Sequence, residues 1–231
     1  MVAPLSAARV NDALRGGLIV SCQAPAGSPM ADPYVTACVG EAAVLGGAVG
    51  LRINGPEDIA AVRAVTDVPI LGLYKTCGAN RLVITPDFER ARQLVEAGAD
   101  VVALDATREA KDEDLSLIQR VREELLVPVM ADISTYEEGM RAAESGADLV
   151  GTTLSGYTPE TMPCPTSPDI ELVVRLADQG VKVVAEGRYR CVEEVSEAFD
   201  AGAFAVVVGG AITDPLKTSA LFAAVTPAGQ V

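Results

Sequence analysis

Four times along this chain the same short pattern recurs: a helical stretch runs out at Gly, Ala follows, and an apolar strand begins. The four are Gly47-Ala48 before VGLRI, Gly98-Ala99 before DVVALD, Gly146-Ala147 before DLVGTT, and Gly202-Ala203 before FAVVVGG. Gly at such a place enters the left-handed region without a steric penalty, so each pair marks a helix stop and a strand start. Three more apolar runs follow helical stretches, VPILGLYK (68–75), VPVMADIS (127–134) and VKVVAEGR (181–188), and LIVSCQA (18–24) completes a set of eight. Runs without strict alternation indicate strands buried on both faces. Between them, 86–97, 112–125, 135–145 and 192–201 carry charged and apolar residues at helical spacing. Eight strand and helix units in 231 residues predict an α/β fold, a single (β/α)8 TIM barrel over residues 1–231, with a doubly wound open sheet as the alternative. The Pro-rich stretch 159–168 reads as a loop after the sixth strand.

Composition removes several function classes. A net charge of −14 repels polyanions, and no basic, aromatic-rich stretch offers a nucleic-acid surface, so no nucleic-acid partner is expected. No apolar run approaches the roughly 20 residues of a membrane span, and the first 20 residues lack the pattern of a secretory leader; no membrane partner is expected. Five scattered cysteines without a CxxC pair suit a reducing cytoplasm, the expected location. With no histidine, serine-triad chemistry and histidine-rich metal sites drop out, and neither metal nor cofactor is expected.

In a β/α barrel, the carboxyl ends of the strands surround one pocket. In order, those ends carry Gln23, Arg52, Lys75, Asp105, Asp132, Thr152 with Thr153, Glu186 and the pair Gly209-Gly210. A polar residue at a strand end also suits solvent. Lys75 and Glu186 stand out because each ends an unbroken apolar run, where charge is costly unless used or paired. The third and seventh strands lie on opposite walls of a ring of eight. Groups placed so can approach one carbon from two faces, which suits inversion of a carbon centre; a plain ion pair across the pocket is the structural alternative. A free lysine has a pKa of about 10.4, so acting as a base needs desolvation or nearby positive charge, which Arg52 on the neighbouring strand can supply. Gly187 and Gly209-Gly210 leave backbone amides open to an anion where barrels often hold phosphate, although tight turns explain glycines equally well.

The blocks GGLIVSCQA (16–24), GGAVGLRINGPEDI (46–59), the Lys75 strand, ITP (84–86), AGADVVALDATR (97–108), MADIST (130–135), GADLVGTTLSGYTP (146–159), VVAEGR (183–188) and AVVVGGAIT (205–213) run in order through the chain. Together they resemble the bacterial N-acetylmannosamine-6-phosphate 2-epimerases of sialic acid breakdown. The resemblance implies a β/α barrel that interconverts N-acetylmannosamine 6-phosphate and N-acetylglucosamine 6-phosphate without metal or redox cofactor. It implies Lys75 and Glu186 as the acid/base pair at C2 of the open-chain sugar. Gln23, Arg52 and Asp132 would hold the sugar or steady the developing charge, with Thr153, Tyr157 and Arg188 as further substrate contacts and Gly187, Gly209 and Gly210 at the 6-phosphate. The partner implied is a small phosphorylated amino sugar, and a homo-oligomer is expected.

Three departures from the family pattern stand out. Thr76 and Cys77 follow Lys75 where a basic and then an acidic residue are usual. Asp214 follows AIT where an Arg is common, leaving Arg188 or Arg190 to compensate. The stretch after Thr107-Arg108 looks shorter, with consequences for a lid or an oligomer contact. Two other functions compete: a Schiff-base aldolase or lyase using Lys75, and a barrel retained only to bind phosphosugars. A pentose-phosphate epimerase that binds metal through histidine is disfavoured by the absence of histidine.

Overall fold

The computed structural model describes residues 4–78, 81–110 and 115–223. Its strands are β1 Leu18–Cys22, β2 Gly50–Asn54, β3 Ile70–Leu73, β4 Lys75–Cys77, β5 Leu82–Ile84, β6 Val101–Asp105, β7 Val129–Asp132, β8 Leu149–Gly151, β9 Val183–Glu186 and β10 Ala205–Val208. All but β4 and β5 close into one parallel barrel in the order β1-β2-β3-β6-β7-β8-β9-β10. A closed ring leaves no open strand edge, which decides against the open sheet.

The helices are α1 Ala7–Leu14, α2 Pro33–Leu45, α3 Pro56–Arg63, α4 Phe88–Ala97, α5 Ser116–Arg120, α6 Tyr136–Glu144, α7 Ile170–Ala177, α8 Val192–Asp200, α9 Gly210–Thr213 and α10 Pro215–Ala223. The recurring Gly-Ala pair works as its sequence suggests. Gly47, Gly98, Gly146 and Gly202 all have φ between 91° and 113°. The amide of each following Ala reaches back into the helix, to Ala43, Leu94, Ala142 and Ala198. That bond satisfies a carbonyl otherwise left open at the helix end and aims the chain into the next strand.

Alternation along the strands sorts side chains into two cores. Val20, Leu51, Ile53, Val102 and Ala131 face the helices, while Ile19, Leu71, Leu73, Ala103, Met130, Val184 and Val207 fill the lumen. Val10 and Leu14 of α1 join the lumen cluster and close the amino-end mouth. Gly50 makes room for them, since a Cβ there would lie 2.6 Å from Leu14 Cδ2.

Two expectations are amended. The third barrel strand stops at Leu73, and Lys75 begins an antiparallel hairpin, β4 with β5, that the apolar run did not separate. The helical stretch 112–125 appears from Ser116 as α5 followed by a π turn, Val121–Leu125; its residues 112–114 lie outside the described residues. So does much of the shortened segment after Arg108, described only to Ala110 and again from Leu115. No described helix is long and apolar enough to cross a membrane.

Candidate active site

The two-residue period that sends Ile19, Leu71 and Val184 into the lumen also sends Ser21, Arg52, Asp132, Thr153 and Glu186 there, near the carboxyl ends. Arg52 lies at the centre of this group. Its Nη2 donates to Asp132 Oδ2 at 2.5 Å, and its Nη1 donates to Glu186 Oε2 and to Thr153 Oγ1, the latter at 3.0 Å. Thr153 Oγ1 also lies 2.6 Å from Asp132 Oδ1 and 3.0 Å from Glu186 Oε2. One hydroxyl proton cannot serve both carboxylates, so a proton carried by Glu186 has a ready acceptor in Thr153 while Thr153 donates to Asp132.

Above this floor opens a cleft with two adjoining lobes of about 590 and 620 Å³. Glu186 borders both, and its side chain keeps 13% of its surface exposed. Lys75 borders the second lobe. Although it sits on the hairpin, it continues the inward phase of Leu71 and Leu73, four ring positions from β9. Its backbone amide donates to Asn54 Oδ1 at 2.8 Å, and Thr85 locks the hairpin base by accepting from the Tyr74 amide and donating to the Ala103 carbonyl. Arg81 clasps the far end, forking onto Asp105 at 2.6 and 3.2 Å and bonding Thr107 Oγ1 at 2.6 Å. Asp105, a polar strand end in the sequence, thus anchors the arm that carries Lys75. Glu186 pairs with Arg52, and among the described residues Lys75 has no ion-pair partner, so the simple Lys75–Glu186 bridge does not form.

The electrostatics move the two groups toward each other. Burial pushes the Glu186 carboxyl up; Arg52 opposes this and the neighbouring Asp132 charge adds to it. Asp132, also raised by burial, is held against Arg52 and Thr153. Lys75 is lowered first by desolvation, then by the Arg52 charge, with Glu186 and Asp132 pulling the other way. The residue is exposed to the open cleft, yet the protein around it still desolvates its amine. Lys75 and Glu186 therefore feel each other's charge within one cavity.

The remaining expected residues divide. Gln23, Thr153 and Tyr157 border the cleft, as do Gly187, Gly209 and Gly210. Gln23 donates to Ser21 Oγ, and its buried Oε1 has no partner among the described residues. Arg52 and Asp132, 1% and 0% exposed, lie beneath the cleft, bonded to each other and to Thr153, with Arg52 also on Glu186. Arg188 borders the first lobe but spends its Nε and Nη1 on the Ser167 and Ser155 carbonyls, pinning the 155–167 loop. Sequence reasoning passed over Asn54 and Lys217, both of which border the cleft. The Asp-Pro step at 214–215, a helix-start signal, would have put Lys217 on a first turn at the barrel mouth. Among the described residues, no group of three or more metal-ligating side chains gathers.

Residues 36–227 match the family model described as "Putative N-acetylmannosamine-6-phosphate epimerase". The chain belongs to this family. A relative from Caldanaerobacter subterraneus is 46% identical over 90% of both chains, and one from Thermosynechococcus vestitus is 49% identical over 87% of this chain and 89% of its own; both carry the name "Putative N-acetylmannosamine-6-phosphate 2-epimerase". The solved N-acetylmannosamine-6-phosphate 2-epimerase of Clostridium perfringens superposes with a TM-score of 0.87 at 36% identity, covering 94% of this chain and 96% of its own. A thiamine phosphate pyrophosphorylase from Pyrococcus furiosus, at 17% identity and TM-score 0.62, shares the fold alone.

Proposed function

We propose that the chain is an N-acetylmannosamine-6-phosphate 2-epimerase, an isomerase that inverts C2 of the open-chain sugar phosphate by proton transfer from two sides. The observation that carries the mechanism is that Lys75 and Glu186 border one cleft and shift in opposite directions, the amine down and the carboxyl up. Each shift raises the population of the uncharged form, an amine able to accept a proton and a carboxylic acid able to give one. In one direction the neutral Lys75 amine takes the C2 proton and becomes ammonium, and the electron pair moves onto the C1 carbonyl oxygen as an enolate. Glu186 then protonates C2 from the opposite face and becomes carboxylate beside Arg52. In the other direction the roles exchange, and solvent in the open cleft resets both groups. Arg52 steadies the carboxylate that each cycle creates, and Asp132 and Thr153 hold Arg52 in place.

Gln23, whose buried carbonyl oxygen has no partner among the described residues, would orient the sugar, and Tyr157 and Arg188 form the rim. Gly187 and Gly209 have amides that donate to no backbone carbonyl among the described residues, and with Gly210 they edge the lobe suited to the 6-phosphate. The five cysteines are all unpaired, which fits a cytoplasmic setting for this reaction. We include a homo-oligomer in the proposal, to be read by light scattering. The functional test is to supply N-acetylmannosamine 6-phosphate and follow the anomeric proton signals by NMR. Growth of N-acetylglucosamine 6-phosphate is expected, and an unchanged spectrum at high enzyme concentration would remove the assignment.

A further inference from the structure

We infer that Lys217 is the cation that contacts the substrate's phosphate, beside the Asp214 that stands where an Arg is common in the family. The inference rests on the phosphosugar reading above and adds the residue that recognises the charged end. Lys217 stands on the first turn of α10 and borders both lobes of the cleft. Its stem lies over Gly210, where a Cβ would come within 3.1 Å of both Lys217 Cδ and Nζ. Gly210 therefore keeps the space through which the ammonium approaches the amides at 209–210. The Lys217 charge also reaches into the cleft far enough to help lower Lys75.

Asp214 changes meaning in this setting. Its Oδ1 accepts from the Leu216 and Lys217 amides at 3.1 and 3.4 Å, and its Oδ2 lies 3.6 Å from Lys217 Nζ. The carboxylate is thus occupied at the start of α10 and neutralised by the lysine it holds near the glycines. Lys217 is 75% exposed, so it can swing from Asp214 onto an incoming dianion at little cost in desolvation. Of the arginines considered for this task, Arg188 is engaged with loop carbonyls and Arg190 reaches only the first lobe.

The test compares wild type with Lys217→Gln, Lys217→Arg and Arg190→Gln. Calorimetry measures binding of inorganic phosphate, and turnover is measured on N-acetylmannosamine 6-phosphate and on the same sugar without phosphate. Loss of a charge-assisted contact corresponds to about tenfold in affinity. Lys217→Gln is expected to weaken phosphate binding and to lower the ratio of kcat/KM for the phosphorylated over the plain sugar by about that factor, mainly through KM. Lys217→Arg should restore most of it. Unchanged phosphate binding in folded Lys217→Gln, or the larger loss in Arg190→Gln, overturns the inference. A wild type that binds phosphate through Lys217 but turns over neither sugar would instead sink the epimerase reading and leave the phosphate contact standing.

Discussion

The guanidinium of Arg52, wholly inside the barrel, donates to Glu186 at the floor of the cleft. The carboxyl that faces the pocket is thereby coupled to Asp132 through a shared cation, and both are connected by the single hydroxyl of Thr153. A buried group of this kind holds charge at a cost, and that cost can be read as activity, pH dependence and stability.

The pH profile of kcat/KM should be bell-shaped and narrower than ordinary side chains give. Burial raises Glu186, so the acidic limb lies above the usual glutamate value of about 4.3. Desolvation and Arg52 lower Lys75, so the alkaline limb lies below the usual lysine value of about 10.4. Limbs at the ordinary values would show that these groups are not the ones titrating.

Glu186→Gln should lose activity by about 10²–10⁴-fold while gaining stability at neutral and alkaline pH. The folded carboxyl has a raised pKa, so its favourable contribution is complete below the unfolded value and is lost as pH rises through the folded one. Above that point wild type carries the cost of a buried charge and Gln does not. Thermal melts at pH 8 should favour the variant, with the gap closing below about pH 4, near the unfolded glutamate value. A gap that widens in acid would reverse the sign assigned to Glu186.

Arg81→Ala should loosen the arm that carries Lys75. It leaves the Asp105 carboxylate buried with, among the described residues, only the Thr107 amide and hydroxyl as donors, a loss of about 1–3 kcal/mol. Because Arg81 does not border the cleft, kcat should fall more than KM rises, and hydrogen exchange should quicken in 74–78 and 81–84. Equal kcat with a protected hairpin would show that Arg81 does not position Lys75.

Leu14→Ala tests the closed mouth at the other end. Leu14 is fully buried in the lumen cluster under Gly50, so truncation should cost about 2–5 kcal/mol by denaturant unfolding. The cleft lies at the opposite mouth, and turnover by the folded fraction should persist. A loss below 1 kcal/mol would mean that α1 does not plug the barrel.

Much of this architecture is legible in the sequence because its signals are local. Gly-Ala pairs state where helices stop, and unbroken runs such as VVALD and VVAE state which strands are buried on both sides. The same two-residue period, carried from Leu71 through Leu73, points Lys75 inward. Less legible is whatever depends on contacts between distant segments. Nothing near Asp105 announces that its partner is Arg81, 24 residues earlier, or that Lys75 leaves the barrel strand for a hairpin. Arg52 and Asp132 look like pocket residues by position, and only packing puts them under the floor. Lys217 was signalled by Asp214-Pro215, but its place beside Gly210 depends on how α10 folds back over the barrel mouth.

Two-sided proton transfer is tested most directly by running the conversion of N-acetylmannosamine 6-phosphate in heavy water with wild type, Lys75→Gln and Glu186→Gln, and reading deuterium at C2 of the product. Wild type should place one solvent deuterium at C2 of N-acetylglucosamine 6-phosphate, and each variant should lose the conversion by about 10²–10⁴-fold while remaining folded. Product that keeps its original hydrogen at C2, or undiminished conversion by either variant, would contradict it.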